Sequence, residues 1–178
     1  MTQIKPVTDK LRIVIYGAGA IGGVLGGLLA FSGTPVIMIG RTNNVDAIRK
    51  NGLKLFTTAG THLVQLPAVT APGKIGFNPT DVVFLCVKGQ DTDSAVRELS
   101  AVVQDVPVFC FQNGVRNEEI VNKYYPRVYG VMVKAGAVFI RDGEVESRSN
   151  PPGRLVIGRY PEGTDALVES VAVRLRRI

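Results

Sequence analysis

Short uninterrupted apolar runs alternate along this chain with longer stretches in which apolar residues return every three or four positions. Leu11–Tyr16, Pro35–Ile39, Asp81–Val87 and Pro107–Phe111 belong to the first kind. Runs this short and this rich in β-branched residues suit strands covered on both faces, as in a parallel sheet. Ala20–Phe31, ended by Ser32-Gly33, reads as an apolar helix. Thr92–Val103 reads as an amphipathic helix, and Asn117–Tyr125 as a helix stopped by Pro126. Asn43-Asn44 offers a cap for a short helix over Val45–Lys50. Asn51-Gly52 marks a turn, after which the alternation in Leu53–Thr58 and Thr61–Leu66, joined across Ala59-Gly60, predicts a hairpin.

The texture changes in the last third. Val128–Ile140, Glu144–Arg148 and Leu155–Arg159 read as consecutive strands joined by Asp142-Gly143 and Asn150-Pro151-Pro152-Gly153. Thr164–Ile178 reads as an amphipathic helix carrying Leu167, Val171, Leu175 and Ile178 on one face. Residues 1–10 look like a loose polar leader. Strands alternating with helices predict a three-layer α/β/α, doubly wound and mostly parallel sheet, with extra strands towards the end, in one domain over residues 1–178.

Composition narrows the function classes. A net charge of +6 would suit nucleic acid or a small polyanion, but the Lys and Arg residues are scattered and not interleaved with aromatics, which argues against nucleic acid. Cys86 and Cys110, each inside an apolar run and without CxxC spacing, suit a reducing cytoplasm better than a disulfide framework or a metal site. The N-terminus has no apolar signal region, and no stretch approaches about 18 uncharged apolar residues, so no membrane span is expected.

The chain has 20 glycines, and the excess clusters near the N-terminus, where it forms Gly17-x-Gly19-x-x-Gly22, directly after an apolar run and opening a helix. That context gives the spacing its meaning. Gly17 permits a tight turn. Gly19 lets a pyrophosphate approach the backbone, and Gly22 lets the helix pack on the strands. The helix start then offers free N–H groups and the positive end of its dipole to phosphate. Gly23, Gly26 and Gly27 read as packing glycines within the helix. This is a Rossmann-type dinucleotide site. At the end of the second run, where an NAD site would place a carboxylate, stands Arg41, nineteen residues beyond Gly22. A guanidinium can bind a 2′-phosphate that a carboxylate would repel, which selects NADP(H) over NAD, with Thr42 and Asn43 available for neutral hydrogen bonds.

Two later motifs, Val87-Lys88-Gly89-Gln90 and Gln112-Asn113-Gly114-Val115, both close apolar runs. With GAGAIGG, Arg41 and the turn at Asn51-Gly52-Leu53, their order and spacing resemble the ketopantoate reductase family, from about Leu11 to Ile178. The resemblance implies reduction of ketopantoate to pantoate with NADPH, a step of pantothenate biosynthesis. It implies that Gly17, Ala18, Gly19, Ala20, Ile21 and Gly22 hold the pyrophosphate, that Arg41 meets the 2′-phosphate, and that Lys88 and Gly136 lie against the cofactor. Asn113 would contact both the nicotinamide side and the substrate. A small 2-oxo acid is the implied partner, a homodimer is allowed, and neither nucleic acid nor membrane is expected. Family members continue into a mostly helical domain with a general-acid Lys. That domain and that Lys are expected to be absent from this chain, so no catalytic proton donor is assigned within it. Arg116 stands where a small residue is common in the family, and Met132 and Lys134 where polar Thr or His residues are usual.

Other chemistries fit less well. No Tyr is followed four residues later by Lys, as a short-chain dehydrogenase would need, and Gly73-Lys74 leads to Ile75, which breaks a P-loop. The lone His62, in a hairpin strand, reads as a structural or surface residue, and no zinc constellation is present. An NADP-binding sensor without catalysis, or a reductase of another 2-oxo acid, remains the alternative.

Overall fold

A computed structural model describes residues 11–178, so the expected leader over residues 1–10 lies outside the described residues. The elements run β1 (Arg12–Tyr16), α1 (Ala20–Phe31), β2 (Val36–Ile39), α2 (Thr42–Asn51), β3 (Leu53–Thr57), β4 (Gly60–Val64), β5 (Ala68–Val69), β6 (Asp81–Leu85), α3 (Thr92–Ser100), β7 (Val108–Cys110), α4 (Asn117–Asn122), β8 (Val128–Ala135), β9 (Ala137–Arg141), β10 (Glu144–Ser147), β11 (Gly153–Arg159) and α5 (Ala166–Leu175). A seven-stranded sheet has the order β11-β8-β7-β6-β1-β2-β5. Every neighbouring pair in it is parallel except β11 with β8. The order reverses at β1, with β2 on one side and β6 on the other, which makes the doubly wound crevice at the carboxyl ends of these strands.

The apolar runs are buried for the reason the pattern suggests. Ile13 and Ile15 face one layer and Val14 and Tyr16 the other, so successive residues of one strand feed two cores. One core packs α1, α2 and α5; the other packs α3, α4 and the loop at Ile75. Phe84, Phe109, Phe111 and Tyr129 pack ring against ring through the first of these, with Phe109 and Tyr129 stacked at a centroid distance of 4.3 Å.

The late strands depart from expectation. The alternation from residue 128 to 140 gives no sign of a break, yet the chain turns at Gly136 and passes from one sheet to another. β8 stays in the large sheet, whereas β9 joins a four-stranded sheet of order β4-β3-β10-β9. The Gly136 carbonyl accepts the Arg148 N–H at 2.7 Å, which ties this corner to the end of β10. The small sheet covers α1 from the side opposite the large one. α1 is therefore apolar nearly all round, as a helix buried on two sides must be. Its glycines admit both sheets: a Cβ on Gly26 would meet Met38 of β2 at 2.3 Å, one on Gly23 would meet Val145 of β10 at 2.7 Å, and one on Gly27 would meet Leu53 of β3 at 3.0 Å.

Smaller differences have local causes. α2 starts at Thr42, not Val45, and Asn43-Asn44 does not cap it; Arg41 holds the N-cap position without a side-chain cap bond. β6, β7, α3 and α4 each stop one to three residues short of their apolar runs, because Val87, Val103 and Tyr124 pack from loops against the same core. The two-residue β5 carries too little pattern to announce itself. α5 begins after Asp165, whose carboxylate accepts from the Leu167 and Val168 N–H groups at 3.0 Å each. Val168, outside the expected stripe, is among its most buried residues.

Candidate functional site

The expected site residues follow the carboxyl ends of five adjacent parallel strands. Gly17–Gly22 follow β1, Arg41 follows β2, Lys88 follows β6, Asn113 follows β7 and Gly136 follows β8. The topology thus brings to one edge residues up to 119 positions apart, the separation of Gly17 and Gly136. They do not all stand at one height. Cys110, the last residue of β7, pairs with Gly130, so Asn113 lies three residues and Gly136 six residues beyond that level.

The glycine corner is specified by what it leaves out. Gly17 has φ +111°, and a Cβ there would sit 2.6 Å from the Val87 nitrogen. A Cβ on Gly22 would lie 2.1 Å from the Gly17 carbonyl oxygen, within the turn itself. Gly19 is the opposite case: a Cβ built on it meets no atom within 4 Å. Fold sterics therefore explain Gly17 and Gly22 but not Gly19, which borders open space at the start of α1. That helix has no side-chain cap, and its first N–H bonded back to the corner is that of Gly23, donating to the Gly19 carbonyl at 2.7 Å. The N–H groups of Ala20, Ile21 and Gly22 precede any intrahelical partner. The corner accordingly offers bare amides beside a space that a side chain would fill, which fits a diphosphate.

The corner is tied to the next strand. Gly17 and Ala18 N–H both donate to the Ile39 carbonyl, at 3.0 and 3.1 Å. Arg41 is exposed, and among the described residues no carboxylate pairs with it. Lys88 is exposed too, ahead of a short 3₁₀ turn at Gly89–Asp91.

At the far end, side chains do the building. Gln112 Nε2 donates to Thr92 Oγ1 at 2.6 Å, Thr92 Oγ1 donates to Asn117 Oδ1 at 2.9 Å, and Asn117 Nδ2 donates to the Asn113 carbonyl at 3.1 Å. This buried relay clamps the start of α3 to the turn that carries Asn113, whose own side chain is left exposed. Gln112 Oε1 is a buried acceptor with no partner among the described residues. Sequence reading missed Thr92 and Asn44; their one signal is a polar residue at the head of a helix, and both spend that polarity on tertiary bonds. Cys110 is buried, and burial pushes its thiol well above the ordinary range, which disfavours the thiolate. His62 lies against the Phe31 ring, centroids 4.4 Å apart, far along the chain fold from this edge.

A groove of about 610 Å³ lies between α1, β8, β11 and α5, lined by Leu25, Val133, Leu155, Val168 and Leu175 among others. Of the expected site residues only Ile21 lines it, so the Ile21 side chain serves this apolar surface and only its backbone is available to the glycine corner. Among the described residues no helix is long and apolar enough to cross a membrane.

Comparison with known proteins gives the family and the fold. The family model described as Ketopantoate reductase PanE/ApbA matches residues 13–162. The 2-dehydropantoate 2-reductase of Pyrococcus horikoshii is 35% identical over 167 residues, which cover 94% of this chain and 54% of that protein. The crystal structure of a PanE/ApbA family ketopantoate reductase from Ralstonia eutropha JMP134 superposes with a TM-score of 0.80 at 30% identity, over 94% of this chain and 54% of the other. That of 2-dehydropantoate 2-reductase from Geobacter metallireducens GS-15 gives 0.83 at 30% identity, over 94% and 55%. The chain thus spans about half the length of the relatives it matches.

Proposed function

Because this chain belongs to the ketopantoate reductase family, we propose that it binds NADPH across the carboxyl edge of the large sheet and forms the cofactor-binding half of an enzyme that reduces ketopantoate to pantoate. The observation that carries this reading is Gly19: its Cβ position is empty, in a corner whose other two glycines are required by the fold itself. The amides of Ala20, Ile21 and Gly22 would hold the diphosphate, since the Ala18 N–H is already given to the Ile39 carbonyl. Arg41 would fork onto the 2′-phosphate, and Lys88 would lie against the cofactor as a compact positive charge. Asn113, fixed through its carbonyl by Asn117, would present a neutral amide that donates to a ketone oxygen and accepts from a hydroxyl. Gly136 would lie beside the nicotinamide end.

When bound, the dinucleotide would supply a hydride for the ketone carbon. The protein's part is to place that carbon and to meet the charge that grows on its oxygen. That oxygen finally needs a proton. We assign its donor to none of residues 1–178 and keep Lys88 for the cofactor.

Titration with NADPH and NADH tests the reading. The wild-type chain should favour NADPH, and Arg41→Ala should lower that preference by about tenfold or more, the worth of a charge-assisted hydrogen-bond pair of roughly 1.5–3 kcal/mol. Equal affinity for the two dinucleotides in the wild type removes the assignment of Arg41.

A further inference from the structure

We propose that Asn44 is the positioning residue that fixes the distance between the diphosphate corner and the Arg41 guanidinium, and so sets selectivity for the phosphorylated dinucleotide; the inference rests on the dinucleotide reading above. Asn44 is 5% exposed, although it lies only three residues after the exposed Arg41. Its Nδ2 donates to the Ala18 carbonyl at 2.8 Å, and its Oδ1 accepts the Gly143 N–H at 2.7 Å. A carbonyl can only accept and an amide N–H can only donate, so the two partners dictate which way the side chain faces. No hydrocarbon side chain can do both, and a carboxylate would turn an oxygen against the Ala18 carbonyl.

The consequence lies in what Ala18 is bonded to. Its N–H goes to Ile39 and its carbonyl to Asn44, so both backbone groups of this corner residue are held by the segment 39–44, which contains Arg41. The close approach of a Gly40 Cβ position to the Ala18 methyl, 3.0 Å, shows the same two segments in contact. The third member, Gly143, sits in the β9–β10 turn with φ +77° and anchors the amide from the small sheet. The glycine corner and the start of α2 are therefore one braced unit, with the Asn44 amide as the brace.

A dinucleotide that carries a diphosphate and a 2′-phosphate touches both parts of that unit at a separation fixed by its ribose. NADH, without the 2′-phosphate, would engage only the corner of that unit. Loosening the brace should therefore weaken the ligand that needs both parts in register more than the ligand that needs one. A purely structural role for Asn44 predicts something else: a lower melting temperature, with both affinities falling by the same factor.

Asn44→Leu is the first variant, because it is neutral and keeps the branched skeleton of the side chain, so it adds no repulsion against phosphate. With a melt still cooperative, the NADPH-over-NADH preference of the full 178-residue chain should fall by about tenfold. Asn44→Ala decides by the same ratio if the leucine variant does not fold. The unmodified chain gives a second readout: NADPH should slow hydrogen exchange at the Gly143 N–H by about tenfold more than NADH does, since only the former loads both ends of the brace. A preference that survives substitution, or equal protection of Gly143 by the two ligands, overturns the inference. A wild-type chain without any preference overturns the reading of Arg41 instead, so the two failures are told apart.

Discussion

The two ends of the carboxyl edge are built on opposite plans. At the β1–β2 end, the backbone does the building: glycines clear the space, the Ala20, Ile21 and Gly22 amides stay bare, and Asn44 and Ile39 hold the corner from behind. At the β7–β8 end, the chain uses side chains: the relay Gln112–Thr92–Asn117 shapes the turn at Asn113, and exposed Met132 and Lys134 follow on β8. The first plan suits a ligand that does not change, because a backbone corner offers few ways to vary. The second suits a part of the edge that has to be tuned, because each side chain can be exchanged alone.

The sharpest way to break this contrast is a pair of alanines at the first end. Gly22→Ala puts a methyl 2.1 Å from the Gly17 carbonyl oxygen, where no rotamer can relieve it. We expect a loss of more than about 4 kcal/mol, comparable with the whole stability of a small domain, and an unfolded or molten chain in circular dichroism. Gly19→Ala meets nothing and should melt within about 0.5 kcal/mol of the wild type, yet lose NADPH affinity by about tenfold or more, because its methyl occupies the approach to the amides. If Gly19→Ala binds NADPH as tightly as the wild type, the backbone plan is wrong.

That pair also shows why the first end was legible in the sequence. A glycine required by sterics leaves its mark in the one-letter code; Gly17 and Gly22 needed no tertiary information. The strands were legible for a similar reason, since a run such as Asp81–Leu85 is buried at every position. What the code hides is which sheet a strand joins and which partner a polar residue finds. The alternation through residues 128–140 is equally good on either side of Gly136, so it cannot reveal the change of sheet. Asn44 resembles a helix cap until Gly143, 99 residues away, comes within hydrogen-bond distance. Thr92 likewise resembles a helix start until Gln112 and Asn117 arrive from other elements.

The second end is probed by Thr92→Val, which keeps the shape and deletes the hydroxyl. Gln112 Nε2 and Asn117 Oδ1 then lose their shared partner inside the protein. Two buried polar groups left unpaired cost about 2–4 kcal/mol together, less than the glycine clash but well outside the error of a denaturant melt. The turn at Asn113 should loosen while the glycine corner stays intact. NADPH affinity should therefore fall only slightly, and the Asn113 amide resonance should broaden or shift. Unchanged stability would show that the relay is not a determinant of this end.

The smallest effect concerns the support behind β8. Tyr129 stacks on Phe109 and donates from its hydroxyl to Asp165 Oδ2 at 2.9 Å, the carboxylate that also caps α5. Burial, then that hydrogen bond, pushes the Tyr129 phenol up to about 12. A folded-state value above the ordinary one, near 10, means that the hydroxyl's contribution is complete below about pH 10 and is lost as the pH rises through about 12. Tyr129→Phe keeps the ring and the stack, and should cost about 1 kcal/mol at pH 8. The gap between wild type and variant should then narrow steadily in melts taken from about pH 10 upward, because the wild type alone has this proton to lose. Dinucleotide affinity should not move, since the bond braces α5 and not the glycine corner. A gap that stays constant over that range would place the 1 kcal/mol in packing and leave the Tyr129–Asp165 bond without a share in it.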